Sequence, residues 1–376
     1  MPTFFLNAMK TIFFILVALH GLIHLLGFVK GFDLKEVDQL TLPISRFMGS
    51  LWLTACILLL CFGISFLLNF KYAWVVGLAA VVLSQMLVVF YWKDAKWGTI
   101  PNIIILLVAL IGWGYGNFQQ MVRQETNALM ATTARANNRL LTESDVASLP
   151  EPVKRWLRSS GALGRPMIRC GRVTQTASLQ MQPGQKNWLP AKAEQYTVID
   201  APAFIWSVDV EMNSLIRFQG RDRFIDGKGA MLIRLHSLIG IVDEQGEKLD
   251  EASLQRFLGE MVWFPSMAVS PYIDWEPIDE HTARATMTYK GVSGSGIFTF
   301  NATGDLLEFA ALRYKGNEAG AKRYEWIVKS LEHKVFEGIR VPASISSTWK
   351  LEDKDWTWLQ MQVTDLRYND AVVHSN

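Results

Sequence analysis

Two histidines four residues apart, His20 and His24, stand in the run HGLIHLLGF, a spacing that puts both imidazoles on one face of a helix. Such a pair is a candidate contact for a metal, a haem or a quinone; the plainer reading is two neutral imidazoles bonded to neighbouring helices. The spacing is that of HExxH, but Gly21, Leu22 and Ile23 supply no glutamate between the histidines, so a zinc-protease reading lacks its base. A second candidate lies in GRDRFIDGKGAMLIRL. In the strand register that puts Ile216, Phe218 and Phe224 on the apolar face, Asp222 shares that face, whereas Arg217, Arg221 and Arg223 project from the other. A carboxylate on a core face either pairs with a cation or has its pKa raised, and the second case is how catalytic acids are made. Arg234 is a candidate partner, and a bulge near Gly220 that reverses the register is the alternative. Asp226 and Lys228 flank the adjoining turn, and Glu260 follows Arg256 by four residues on the polar side of a helix, which is ordinary helix pairing. Trp206, in the middle of a strand pattern, and Trp263, at an aromatic helix exit, complete the cluster expected to line a ligand or do chemistry.

No metal or nucleophile constellation joins these residues, and no cofactor is expected. Cys56, Cys61 and Cys170 form neither a CxxC nor a disulfide framework, GVSGSG fits no nucleophile elbow or phosphate loop, and His236, His281 and His333 are scattered.

The elements that must position these groups fall into two solvents. Residues 1–122 contain 7 Lys/Arg and 4 Asp/Glu, out of 37 and 35 in the 376-residue chain. Four stretches, Thr11 to Val29, Phe47 to Phe70, Tyr72 to Trp92 and Trp97 to Val122, lack charge entirely. Each reaches the roughly 20 apolar residues of a bilayer span. A cleaved leader fits the first poorly, because no small-residue cleavage site precedes polar sequence. Four spans put both chain ends on one side. Lys30, Lys35, Arg46, Lys93 and Lys96 lie in the first and third loops, against Lys10, Lys71 and Arg123 on the other face, so the positive-inside tendency makes the large C-terminal part extracytoplasmic. The loop WKDAKWGTIPN reads as interfacial, with Asp94 and Lys96 at the headgroups. A net charge of +2 without a basic tail gives no footprint for nucleic acid.

Residues 123–141 read as a linker or an extension of the fourth helix, and 142–376 as one soluble domain. Thr142 and Asp145 are placed as a capping box, and a second helix runs from Pro152 to a cap at Gly161. From about Ile168 the apolar period changes to 2. Phe204, Trp206, Val208 and Val210 alternate with polar residues, as do Ile339, Val341, Ala343, Ile345 and Trp349, which is the pattern of strands with one buried face. Turn signals such as QPGQ, DGKG and NATGD delimit about ten strands with short connections, which points to an antiparallel meander. One helix interrupts it. After Asp250 as N-cap, Leu254, Phe257, Leu258, Met261 and Val262 make an apolar stripe that runs to Pro265. The expected architecture is a four-helix transmembrane module plus an α+β domain: a large, half-barrel-like curved antiparallel sheet with a few helices packed on it. Sheets of this size curl, and an incompletely closed one can hold an apolar guest.

The runs LPEPVKRWLRSSG, AEQYTVIDAPAFIWSVDVEM, LGEMVWFPSMAVSPYIDWEPID, YKGVSGSGIFTF and GIRVPASISSTWKLEDKDWTWLQMQVTDLRYN resemble a bacterial family catalogued as a domain of unknown function. Some members resemble this domain behind a single N-terminal helix; others carry a multi-span module with HGLIHLLGF, PISRFMGSLW and DAKWGTIPN. The resemblance implies an extracytoplasmic domain and brings no activity, so no catalytic residue is carried over. The sheet is also similar to the lipoprotein carrier fold of the bacterial envelope. The leading expectation is a non-enzymatic, multi-pass inner-membrane protein whose domain binds a lipid or other lipophilic ligand between sheet and helix. An enzyme on an envelope substrate, using Asp222, Asp226, Lys228, Arg234 or Glu260, and an assembly scaffold are the alternatives. The bilayer is the expected partner, and the sequence names no protein partner.

Overall fold

The computed structural model describes residues 2–133 and 139–370. By its internal contacts the chain divides into two compact units, 1–120 with 236–238, and 121–235 with 239–376. The first unit is helical: α1 (Pro2–Ile23), α2 (Leu25–Gly31), α3 (Arg46–Leu67), α4 (Ala73–Phe90), the short α5 (Trp92–Ala95) and α6 (Thr99–Met130), whose last turns belong to the second unit. Four segments, Ala8–Gly31, Arg46–Leu67, Ala73–Phe90 and Trp92–Met130, are long and apolar enough to cross a membrane. The last continues past Val122, so the start of the expected linker is helix; residues 134–138 of that linker lie outside the described residues.

Small residues let these helices approach. A Cβ on Gly31 would lie 2.8 Å from the Gly49 Cα, one on Gly77 would lie 2.7 Å from the Phe62 ring, and one on Gly27 would overlap the indole of Trp52. Close backbone approach of this kind is how helices associate where no hydrophobic effect drives them. The outward faces stay apolar, with Ile12, Leu19 and Val82 all exposed.

In the second unit the capping box of Thr142 and Asp145 opens α7 (Glu143–Val146), and α8 (Glu151–Ser159) ends before Gly161, which takes the expected left-handed conformation at φ +74°. The strands are β1 (Cys170–Leu179), β2 (Leu189–Val198), β3 (Ala203–Glu211), β4 (Arg217–Ile225), β5 (Lys228–Leu235) and β6 (Ile239–Gln245), then β7 (Ile273–Pro277), β8 (Thr282–Tyr289), β9 (Val292–Phe300), β10 (Leu306–Tyr314), β11 (Arg323–Phe336), β12 (Ile339–Lys350) and β13 (Asp355–Tyr368). They form one antiparallel sheet of 13 strands in the order β6-β5-β4-β3-β2-β1-β13-β12-β11-β10-β9-β8-β7. Two meandering arms thus join only where β1 pairs with β13, Gly171 opposite Tyr368. The sheet exceeds the ten strands expected because its weakest patterns are real strands: β6 is exposed along most of its length, β7 is five residues long, and β9 begins VSGSG.

Between the arms runs α9 (Glu247–Gly259), which packs on β4 and β5 from one side and on β8, β9 and β10 from the other. The sheet curls around it, and β6 and β7 remain unpaired edges. The helix begins earlier than expected. Gly246, at φ +140°, is its N-cap, and Asp250 instead sits in the first turn, where its carboxylate accepts from the Gly229 backbone at 2.7 Å and from Lys228 Nζ at 2.8 Å. The α-helix stops at Gly259 and continues as 3-10 turns over Glu260–Trp263 and Pro265–Val269. Leu254, Phe257, Leu258 and Met261 are almost wholly buried, in one core with Val153, Trp156, Phe298 and Phe309.

Candidate functional site

The inward face of the first arm carries a polar cluster among aromatic rings. β3 and β4 pair without interruption from Phe204 opposite Phe224 to Glu211 opposite Arg217, so no bulge forms at Gly220 and Asp222 keeps the register that shares a face with Phe218 and Phe224. Its partner is Arg256 of α9, whose Nη1 donates to Asp222 Oδ2 at 2.8 Å. Arg234 lies opposite Gln219, on the other face of the sheet, and cannot serve.

The same guanidinium is held on every side. Arg256 Nε donates to Glu260 Oε1 at 2.8 Å and Nη2 to Gln195 Oε1 at 3.0 Å. Gln195 Nε2 in turn donates to Glu260 Oε2 at 2.5 Å and to Thr197 Oγ1 at 3.1 Å. The rings of Phe204 and Trp206 lie 4.8 Å from Arg256 Cζ, the cation–π distance, and Trp206 Nε1 donates to Gln175 Oε1 at 3.0 Å. Solvent still reaches the cluster: the side chains of Arg256, Asp222 and Glu260 are 15%, 19% and 14% exposed.

A second arginine faces the same centre with less to hold it. The Arg313 guanidinium of β10 lies over the rings of Trp326 at 4.5 Å and Trp349 at 5.8 Å, and its Nε donates to the Ala252 carbonyl at 2.9 Å. Among the described residues no carboxylate pairs with it. Trp326 Nε1 and Gln175 Nε2 are buried donors without a hydrogen-bond partner. Burial first, and then the like charge of Arg256, pulls the Arg313 guanidinium down to about 10, with Asp222 and Glu260 opposing. Burial raises the Asp222 carboxyl above the ordinary carboxylate range, against the pull of Arg256, Arg313 and Arg221. At Arg256 burial also works against the charge, but Glu260 and Asp222 outweigh it and its pKa stands above the usual value.

Three of the residues singled out from sequence therefore meet at Arg256: Asp222, Glu260 and Trp206. The others do not. Asp226 occupies the β4–β5 turn with φ +51°, a position a short polar side chain tolerates. The Lys228 side chain is 74% exposed and paired with Asp250. Trp263 is a core residue, 2% exposed, with Nε1 donating to the Pro342 carbonyl at 2.9 Å. On the outer face of β4, Arg221 and Arg223 both pair with Glu125 of α6, at 3.1 and 3.0 Å. Among the described residues no group of three or more His, Cys, Asp or Glu is placed to hold a metal ion.

In the helical unit His20 and His24 join a buried polar network. Asn102 Nδ2 donates to Gln85 Oε1 at 3.0 Å, which turns Asn102 Oδ1 toward His20 Nε2 at 2.9 Å. His24 Nδ1 donates to the His20 carbonyl at 2.9 Å, and its Nε2 lies 2.9 Å from Ser84 Oγ, whose hydroxyl is also 2.9 Å from Asn102 Oδ1.

Residues 139–361, more than half of the chain, match the family of unknown function DUF6544. The chain belongs to that family. No curated protein matches it. Among solved structures, a LolA superfamily protein from Nitrosomonas europaea is similar to the DUF6544 chain at 9% identity and a TM-score of 0.34, over 58% of this chain and 94% of that one. A beta-barrel-like protein of the unknown-function family DUF1849 from Brucella abortus is similar at 10% identity and a TM-score of 0.23, over 54% of this chain and 99% of that one.

Sequence reasoning missed four groups of this cluster: Gln175, Gln195, Arg256 as the partner of Asp222, and Arg313. The signal was present for two of them. Gln195 follows Ala191 and Ala193, and Arg313 follows Phe309 and Ala311, each a polar residue in step with an inward-facing alternation.

Proposed function

We propose that this protein is a membrane-anchored binding protein whose curved sheet receives an anionic amphiphile, its head on Arg313 and its apolar part against the tryptophans of the inner face. The observation that carries this is Arg313 itself: a cation walled by Trp326 and Trp349, without a carboxylate partner among the described residues, beside a buried indole N–H that donates to none of them. Buried polar groups left without partners are costly, and a ligand with acceptor oxygens supplies what they lack. Anchoring is supported by the four apolar helices and their apolar outer faces. The distribution of Lys and Arg supports an inner-membrane location with the sheet domain outside the cytoplasm. A reporter fused to the C-terminus is expected to be active only in the extracytoplasmic compartment.

Full-length protein purified in detergent is expected to carry an anionic lipid that organic extraction and mass spectrometry recover. Arg313→Met is expected to reduce that lipid about tenfold, the effect of losing one charge-assisted hydrogen bond. Equal lipid content in the two proteins would overturn the reading. The raised Asp222 carboxyl favours an enzyme. Arg256 and Gln195 occupy Asp222 Oδ2 and both Glu260 oxygens, however, and that engagement favours a structural clamp over proton transfer.

A further inference from the structure

The helical unit contains a pocket of about 440 Å³ beside the histidine network, lined in part by His20, His24, Trp52, Asp94 and Trp97. We propose that it binds a neutral lipophile with a carbonyl-bearing ring, of the prenylated quinone kind, with the ring carbonyl accepting from Trp52 Nε1. The inference rests on the membrane placement proposed above and is independent of the sheet site.

The imidazoles offer no free donor here, since His20 Nδ1, with Nε2–H given to Asn102, can only accept. The bonds to Asn102, Ser84 and the His20 carbonyl use both ring nitrogens of His24 and Nε2 of His20. Among the described residues the buried donor left without a partner in the lining is that of Trp52, 3% exposed, at its Nε1–H. Its ring is fixed, because the face of Gly27 receives it and because His24 and Tyr91 pack on it with ring centroids 5.0 and 5.7 Å away. A fixed donor at the wall of a pocket this size is a recognition element for an acceptor. The lining holds no Lys or Arg. Its one carboxylate, Asp94, is engaged by the Thr41 and Leu42 backbone N–H groups at 2.6 and 3.1 Å. The lining itself sets no Lys or Arg against an anionic head and sets Asp94 there, with Lys30 engaged by the Leu40 carbonyl, so an uncharged acceptor fits it better. Indole and imidazole walls suit a flat ring. Ile23 and Leu26, also in the lining, are 58% and 37% exposed on the outer surface of their helices, where an isoprenoid tail would leave toward lipid.

The test is titration of the detergent-solubilised full-length protein with decylubiquinone by equilibrium dialysis, with thermal melting of each variant as a check on folding. Saturable binding of one molecule per chain is expected. Trp52→Phe keeps a ring and removes the N–H, and should weaken binding about tenfold; Ala95→Phe should abolish it by filling the lining. Absence of saturable binding overturns the proposal, as does binding that Trp52→Phe leaves undiminished, or equal competition by phosphatidylethanolamine, which would make the occupant a bilayer lipid. Resistance of the protein to alkaline carbonate extraction from membranes tests the placement separately, so a failure of either is distinguishable.

Discussion

Replacing Arg256 by Met should remove about 3 kcal/mol of folding stability, the lower end of what is lost when one partner of a buried ion pair is deleted. Met keeps an unbranched apolar stem and removes the guanidinium that lies over Phe204 and Trp206. It leaves the Asp222 and Glu260 carboxylates without their shared cation and Gln195 Oε1 without its donor. For a domain of this size the melting temperature should fall by roughly 10 °C. The loss must depend on pH. The Asp222 carboxyl already stands above its ordinary value in the folded protein, so the folded state binds its proton more tightly than the unfolded chain does. Stability from that group is therefore present at low pH and is lost as pH rises through the folded pKa. Removing the cation raises that pKa further, so the gap between wild type and variant should be narrower at pH 5 than at pH 8. A gap that is the same at both, followed by calorimetry or circular dichroism, would show that the carboxylates do not depend on Arg256.

Gly31→Val should have a comparable effect on the helical unit. The new Cβ would lie 2.8 Å from the Gly49 Cα and 3.1 Å from the Ser45 carbonyl oxygen. Both are backbone atoms that cannot rotate away, so α2 and α3 must separate. Overpacking of this kind costs about 1–3 kcal/mol, and here it also lifts Trp52 from the face of Gly27. Gly49→Val should reproduce the loss, since its Cβ would lie 3.1 Å from the Gly31 Cα. Gly240→Ala and Gly320→Ala, where a Cβ meets nothing within 4 Å, should leave melting unchanged. Equal melting of Gly31→Val and the two controls would mean that the helices do not touch at this point.

What could be read from the residues alone follows how local the cause is. The alternation in β3, β4 and β12 depends only on which face each residue shows, and it carries both the strands and the inward position of Asp222. The stripe Leu254, Phe257 and Leu258 likewise identified a helix with one face on the sheet. The spacing alone makes Arg256 and Glu260 an i,i+4 pair on the polar side of a helix, the side that ordinarily faces water. The helix is in fact enclosed on two flanks by a sheet that curls around it, and that curl is a property of all 13 strands together. The partner of Asp222 lies 34 residues away on another element, and nothing in the spacing of either residue encodes that meeting. Asp250 misled for a related reason: its carboxylate has the right chemistry for a helix cap, but Gly246 turns the chain first and frees Asp250 to tie down the start of β5.

The single junction between the arms imposes an order on biosynthesis. A ribosome delivers β1 about 200 residues before β13, its only neighbour on that side. Throughout that interval the early strands can assemble by short-range pairing, yet β1 presents a row of unsatisfied amides and carbonyls, the kind of surface on which nascent chains stick to one another. Truncation within β13 would make that transient state permanent, so nonsense changes there should yield aggregated polypeptide rather than a slightly shortened, working domain.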